Sequence, residues 1–143
     1  MLAGCSGLPS LDDLKALPEA GLAPEGAELI FHRANPRENT IEGPIPAILG
    51  DIFGVQMSPG ELYAWYDREL GSRGWVLDPL ASSRATNEDS IQSWRKDDVV
   101  ARIAVLTKGD PRNLPASVTD RFQTIYEIAL IAEPKRSFAP IPT

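Results

Sequence analysis

The chain has one cysteine, Cys5, and one histidine, His32, in 143 residues. A lone cysteine excludes an intrachain disulfide, so stability has to come from burial alone. A lone histidine excludes zinc sites that need two. No run of about eighteen apolar residues exists to span a bilayer as a helix. Positive charge is also scarce: 14 Lys and Arg stand against 20 Asp and Glu, for a net charge of −6. Nucleic-acid binding draws on clustered basic side chains that displace counterions, so that class is disfavoured. The same acidity repels an anionic bilayer surface, and membrane residence would have to come from covalent lipid. GxGxxG, Walker and EF-hand patterns are missing, which argues against the corresponding cofactor and metal enzymes; no cofactor and no resident metal are expected.

What remains is ordinary for a folded protein, with 43% hydrophobic and 24% charged residues. A chain of this length removes roughly two-thirds of its unfolded surface from water and forms one domain. The expected division is a signal remnant and tether over 1–26, a single domain over 27–133 and a Pro-rich tail over 134–143. Within the tether, Ser10 followed by Asp13, with Leu11, Leu14 and Leu17, predicts a short capped helix ending before Pro18.

Regular structure begins with a strand over 27–33 that puts Leu29 and Phe31 on one face. The residues Asn35-Pro36-Arg37-Glu38-Asn39 favour fixed or left-handed backbone and mark a loop or hairpin connection. A second strand over 45–55 is apolar on both faces, with Leu49, Phe53 and Val55 opposite Ile48 and Ile52, so it is covered on both sides over part of its length. Gly50 and Gly54 share the second face and suit a close backbone approach or a bulge.

The helix over 59–73 is the most strongly specified element. Ser58 caps it, Pro59 takes the first helical position and Glu61 completes a capping box. Met57 and Leu62 stand at hydrophobic-staple positions. Leu62, Trp65, Tyr66 and Leu70 follow at helical spacing and face a sheet. Gly74 suits a left-handed residue past the end, with Trp75 folding back onto the last turn. Further strands are expected over 75–77, 91–95, 99–106 and 122–132, the 91–106 pair as a hairpin turning at Lys96-Asp97-Asp98, with loops over 81–90 and 109–120. The order β-β-α-β-β-β-β gives an α+β fold: an antiparallel sheet with one main helix packed on one face.

Leu2-Ala3-Gly4-Cys5 resembles the lipobox of bacterial lipoproteins. That resemblance implies a diacylglyceryl thioether on the Cys5 sulfur, cleavage before Cys5 and acylation of the new amino group. It also implies residence at the cell membrane on its extracytoplasmic face, with the membrane and an envelope protein as partners and no nucleic acid. Small side chains at Ala3 and Gly4 admit a peptidase, and only a thiol forms the thioether. The pattern Trp65-Tyr66, Leu70, Gly74-Trp75 is similar, more loosely, to small envelope lipoproteins of unassigned activity.

Candidate chemistry is sparse. The carboxylate pairs Asp12-Asp13, Glu88-Asp89 and Asp97-Asp98 are sequence neighbours that point in different directions, and do not define an acid/base pair. Asp51 shares strand parity with Leu49 and Phe53. It reads either as an edge-strand charge that blocks sheet association or as a site carboxylate drawn toward an apolar face. Trp65, Tyr66, Trp75 and Trp94, with Tyr63 nearby, either line a ligand groove or belong to the core. The leading expectation is a non-enzymatic, lipid-anchored accessory or interaction module, making contact through the 81–90 loop, the 109–120 loop or the tail. A small-ligand carrier with a pocket between helix and sheet is the alternative. A hydrolase would need His32 or Asp51 beside a second polar group in a cleft.

Overall fold

Alternating apolar and polar residues produce strands that must bury one face, and a strand apolar on both faces has to sit inside a sheet. That logic orders this protein. The computed structural model describes residues 8–78, 91–106 and 114–134. Its elements are α1 (Leu11–Lys15), β1 (Glu28–Asn35), β2 (Glu38–Thr40), β3 (Gly43–Ile45), β4 (Ile48–Val55), α2 (Pro59–Ser72), β5 (Val76–Leu77), β6 (Ile91–Lys96), β7 (Val99–Leu106), α3 (Ala116–Thr119) and β8 (Thr124–Ala132). Six strands form one sheet in the order β1-β4-β8-β7-β6-β5, antiparallel at every pairing, and β2 pairs with β3 separately. The fold is α+β and mostly antiparallel sheet.

The two most apolar strands, β4 and β8, are neighbours in the sheet interior, and every residue of β8 is buried. One face carries Leu49, Phe53, Tyr126, Ile128, Leu130, Ala101, Ile103 and Trp94, packed into one cluster with Leu62, Tyr66 and Leu70 of α2. Fully burying side chains of this size contributes roughly 1.5–3 kcal/mol each. The opposite face buries Ile52, Val100, Ile125, Ala129 and Ile131.

The helix α2 begins as its sequence dictates. Ser58 Oγ accepts from Glu61 N at 3.2 Å, and Glu61 Oε1 accepts from Ser58 N at 2.9 Å. These bonds hold the Glu61 carboxyl below its ordinary range, the backbone bond at Ser58 being the larger cause. The helix ends with Gly74 at φ +91° and with Trp75 N donating to Leu70 O at 2.9 Å.

Five sequence expectations change. A bulge in β1 sets Leu29 opposite Phe53 and Phe31 opposite Ile52, so the two side chains lie on opposite faces instead of one. The second strand starts at Ile48, since Pro44 and Pro46 have no N–H to give a ladder; residues 43–45 pair instead with 38–40 to make the β2–β3 hairpin. The last strand starts at Thr124, because Phe122 lies with its ring on Gly54. Part of the expected 109–120 loop is the helical turn α3. Finally, residues 10–26 are not a free spacer. The α1 capping box forms, Leu14 is fully buried, and Leu11, Leu17, Ala20, Leu22 and Ala23 pack on the core. These residues are part of the domain.

Candidate functional site

The sole histidine and the one carboxylate singled out from strand parity are brought together by strand register. A bulge between Leu29 and Phe31 shifts β1 by one residue and sets His32 opposite Asp51 of β4. His32 Nδ1 donates to Asp51 Oδ1 at 2.5 Å, the carboxylate buried and the imidazole half exposed. β4 is an interior strand, so Asp51 is not an edge charge; it is a buried carboxylate satisfied across the strand pair. The contact has the geometry in which a carboxylate fixes an imidazole tautomer, as the Asp–His pair of a catalytic triad does. Among the described residues none hydrogen-bonds His32 Nε2, and neither member of the pair lines the clefts formed by Trp75, by Arg95 or by Phe31.

Beside this pair lies a tyrosine chain. Tyr66 OH donates to Leu22 O at 2.6 Å and lies 2.7 Å from Tyr126 OH. A carbonyl only accepts and each phenol has one proton, so Tyr126 must donate to Tyr66. Both rings are fully buried. Desolvation, then the nearby second tyrosine and the Asp51 charge, pushes the Tyr66 phenol far up; burial and Asp51 do the same for Tyr126 against the lowering effect of its bond to Tyr66. Neither phenol is an acid available at neutral pH.

The remaining aromatics are placed as follows. Trp65 stacks edge-on against Tyr66 and packs on the core border. Trp94 is buried, with Nε1 donating to Asp67 Oδ1 at 2.9 Å. Trp75, also buried, has no partner for its Nε1 among the described residues. It forms one wall of a cleft of about 290 Å³ between the N-terminal arm and the β6–β7 turn, with Pro9, Leu17 and Val99. The space between α2 and the sheet, where a carrier pocket was expected, is filled by Leu62, Tyr66, Leu70, Phe53 and Trp94.

On the second face Glu127 is buried at the centre of the sheet, with its Oε2 3.2 Å from Arg33 Nε and off the line of a good hydrogen bond. Gly50 makes room for this pair: a Cβ there would sit 3.0 Å from Glu127 Oε2 and 3.1 Å from Arg33 Nε. The two glycines of β4 therefore admit side chains rather than backbone. The pair borders a cleft of about 260 Å³ with Phe31, Ile52 and Leu114. Glu127 shares strand parity with Ile125 and Ala129, the one sequence signal that places its carboxylate on a buried face. A third, partly buried cluster joins Arg95 to Asp78 at 3.0 Å and to Glu133 at 3.1 Å, fastening β6 to the end of β8.

The β2–β3 hairpin differs from all of these. It stands off the body with residues 38–42 exposed; Ile41 at its tip is completely exposed and Ile45 is 44% exposed. Thr40 Oγ1 donates to Gly43 O at 2.6 Å and closes the tip, with Gly43 at φ +122°.

Cys5, Glu88-Asp89, the 81–90 loop, residues 109–113 and the tail from 135 lie outside the described residues. Among the described residues no group of three or more His, Cys, Asp or Glu is placed to hold a metal, and no helix is long and apolar enough to cross a membrane. No protein-family model matches the chain, and neither a curated protein nor a solved structure is detectably similar to it.

Proposed function

We propose that this protein is a lipid-anchored, extracytoplasmic accessory module that acts by contact at a membrane surface and not by catalysis. The observation that carries the reading is the tetrapeptide Leu2-Ala3-Gly4-Cys5 ending in the chain's only cysteine. Two or more acyl chains on Cys5 would give stable anchoring where a single chain gives only reversible binding. Confinement then raises the effective concentration of the domain toward an envelope or membrane partner without any new contact.

The domain's own chemistry is consistent with this assignment. Its net charge of −6 provides no electrostatic attraction to anionic lipid, so covalent lipid is the means of residence. The His32–Asp51 pair lacks a bonded nucleophile among the described residues, and the tyrosine chain serves to hold the arm. The carrier alternative has less support, because the helix–sheet space is occupied by buried side chains.

Mass spectrometry of the protein recovered from its native cell tests the reading. The expected result is a chain beginning at an acylated Cys5 in the membrane fraction, with Cys5→Ser released to the soluble fraction. A bare Cys5 thiol in soluble wild-type protein overturns it.

A further inference from the structure

The exposed hairpin and the start of the N-terminal arm lie at the same end of the sheet. Asn35 pairs with Ile48, Ile48 with Ile131 and Val99 with Ala132, so the β2–β3 hairpin leaves the sheet at the end that also carries the β6–β7 turn. Pro9 and Asp13 line a cleft with Lys96, Asp97 and Asp98 of that turn. Four residue steps separate Cys5 from Pro9, and an extended chain covers at most about 14 Å in four steps. Two to three strand spacings separate β4 from the β6–β7 turn, about 10–15 Å across the sheet end. A lipid on Cys5 would therefore keep this end of the domain close to the bilayer.

At that end the sequence places an isoleucine where turn chemistry favours Gly, Asn or Asp. Among the described residues nothing covers Ile41, and Pro44 and exposed Ile45 stand behind it on the same hairpin. Flanking charges are few, Arg37 against Glu38 and Glu42, and leave one net negative charge. The tip thus presents Ile41 beside the exposed Glu42 carboxylate, and with no cationic cluster on the hairpin any lipid contact would be made by the apolar side chains independently of anionic headgroups.

We infer that the β2–β3 hairpin is a second, non-covalent membrane contact, inserting Ile41, backed by Pro44 and Ile45, into the interfacial region of a lipid surface. The inference rests on the anchoring reading for its orientation. One apolar tip binds lipid weakly by itself; beside a covalent anchor the insertion is intramolecular and fixes which side of the domain faces outward.

The unique cysteine makes the test direct. Purified full-length Ile41→Trp protein is coupled through Cys5 to maleimide-headgroup lipid in phosphatidylcholine vesicles, with wild type coupled in the same way to supply the background of Trp65, Trp75 and Trp94. The expected result is a blue shift of the added emission and its loss when the lipid chains are brominated, unchanged when anionic lipid is added. A parallel hydrogen-exchange measurement is expected to show slowed exchange over residues 38–45 in coupled wild type and not in coupled Ile41→Asp. Unquenched, unshifted emission from the added tryptophan with unchanged exchange overturns the inference, as would protection that requires anionic lipid. Because the lipid is supplied chemically, a bare Cys5 in the native cell removes the anchoring reading while leaving this result to stand or fall separately.

Discussion

Removing the Tyr66 hydroxyl is expected to cost far more than removing that of Tyr126, although the two share one hydrogen bond. Tyr66 stands in the middle of a one-way chain: it donates to the Leu22 carbonyl and accepts from Tyr126. Tyr66→Phe strands two groups, the Leu22 carbonyl and the Tyr126 hydroxyl. An unsatisfied buried polar group costs roughly 1–3 kcal/mol, so two of them cost the variant about 2–6 kcal/mol. Tyr126→Phe deletes a donor at the end of the chain and leaves the Tyr66–Leu22 bond intact, a loss of about 0.5–1.5 kcal/mol. The double variant no longer contains the orphaned Tyr126 hydroxyl and recovers part of the Tyr66→Phe loss, a clear departure from additivity. Urea unfolding at neutral pH, with equal denaturant slopes across the four proteins, measures all three differences. A Tyr126→Phe loss equal to or larger than that of Tyr66→Phe, or simple additivity, would refute the direction assigned to the chain.

Further outcomes follow from the same structure. Both tyrosines have folded pKa values raised above the unfolded phenol near 10, so their contribution to stability is fully present below about pH 10 and is lost as pH rises beyond it; their tyrosinate absorbance should appear only together with unfolding. Glu61 has the opposite sign: its lowered carboxyl stabilises the fold above the ordinary carboxylate range and stops doing so as pH falls through the folded value, and Glu61→Gln should remove that acid-side loss in pH-dependent melts. Gly54→Ala puts a Cβ 2.4 Å from the Phe122 ring and is expected to cost about 1–3 kcal/mol. Adding Phe122→Ala should give a double variant less destabilised than the sum, as read by denaturant midpoints. Leu14→Ala should cost about 2–5 kcal/mol in the same assay if the arm is core, and almost nothing if it is a spacer.

Sequence reading recovered what local rules determine. The start of α2 was visible because Ser58, Pro59 and Glu61 each satisfy a backbone requirement of a helix N-terminus, and its end because Gly74 relieves a left-handed position. The β6–β7 hairpin was visible for a similar reason, with Asp97 at φ 54° in the turn. The β2–β3 hairpin escaped, since prolines at 44 and 46 mask a strand and its residues carry no alternation. The His32–Asp51 contact depends on a one-residue bulge between Leu29 and Phe31, a register choice set by packing of the whole sheet. Arg33 with Glu127, and Tyr66 with Tyr126 and Leu22, join residues 44 to 94 positions apart, and no local pattern encodes such a pairing.

The burial of the N-terminal arm has a mechanical consequence. A slack leader would absorb a pull applied at the front of the molecule before the body felt it. Here Leu14 is wedged under the sheet and the Leu22 carbonyl is bonded to α2, so tension reaches the helix by residue 22 and loads the tyrosine chain directly. Drag on the front of this chain would be felt as strain between helix and sheet, and the first bond to part would be the one that locks the arm in place.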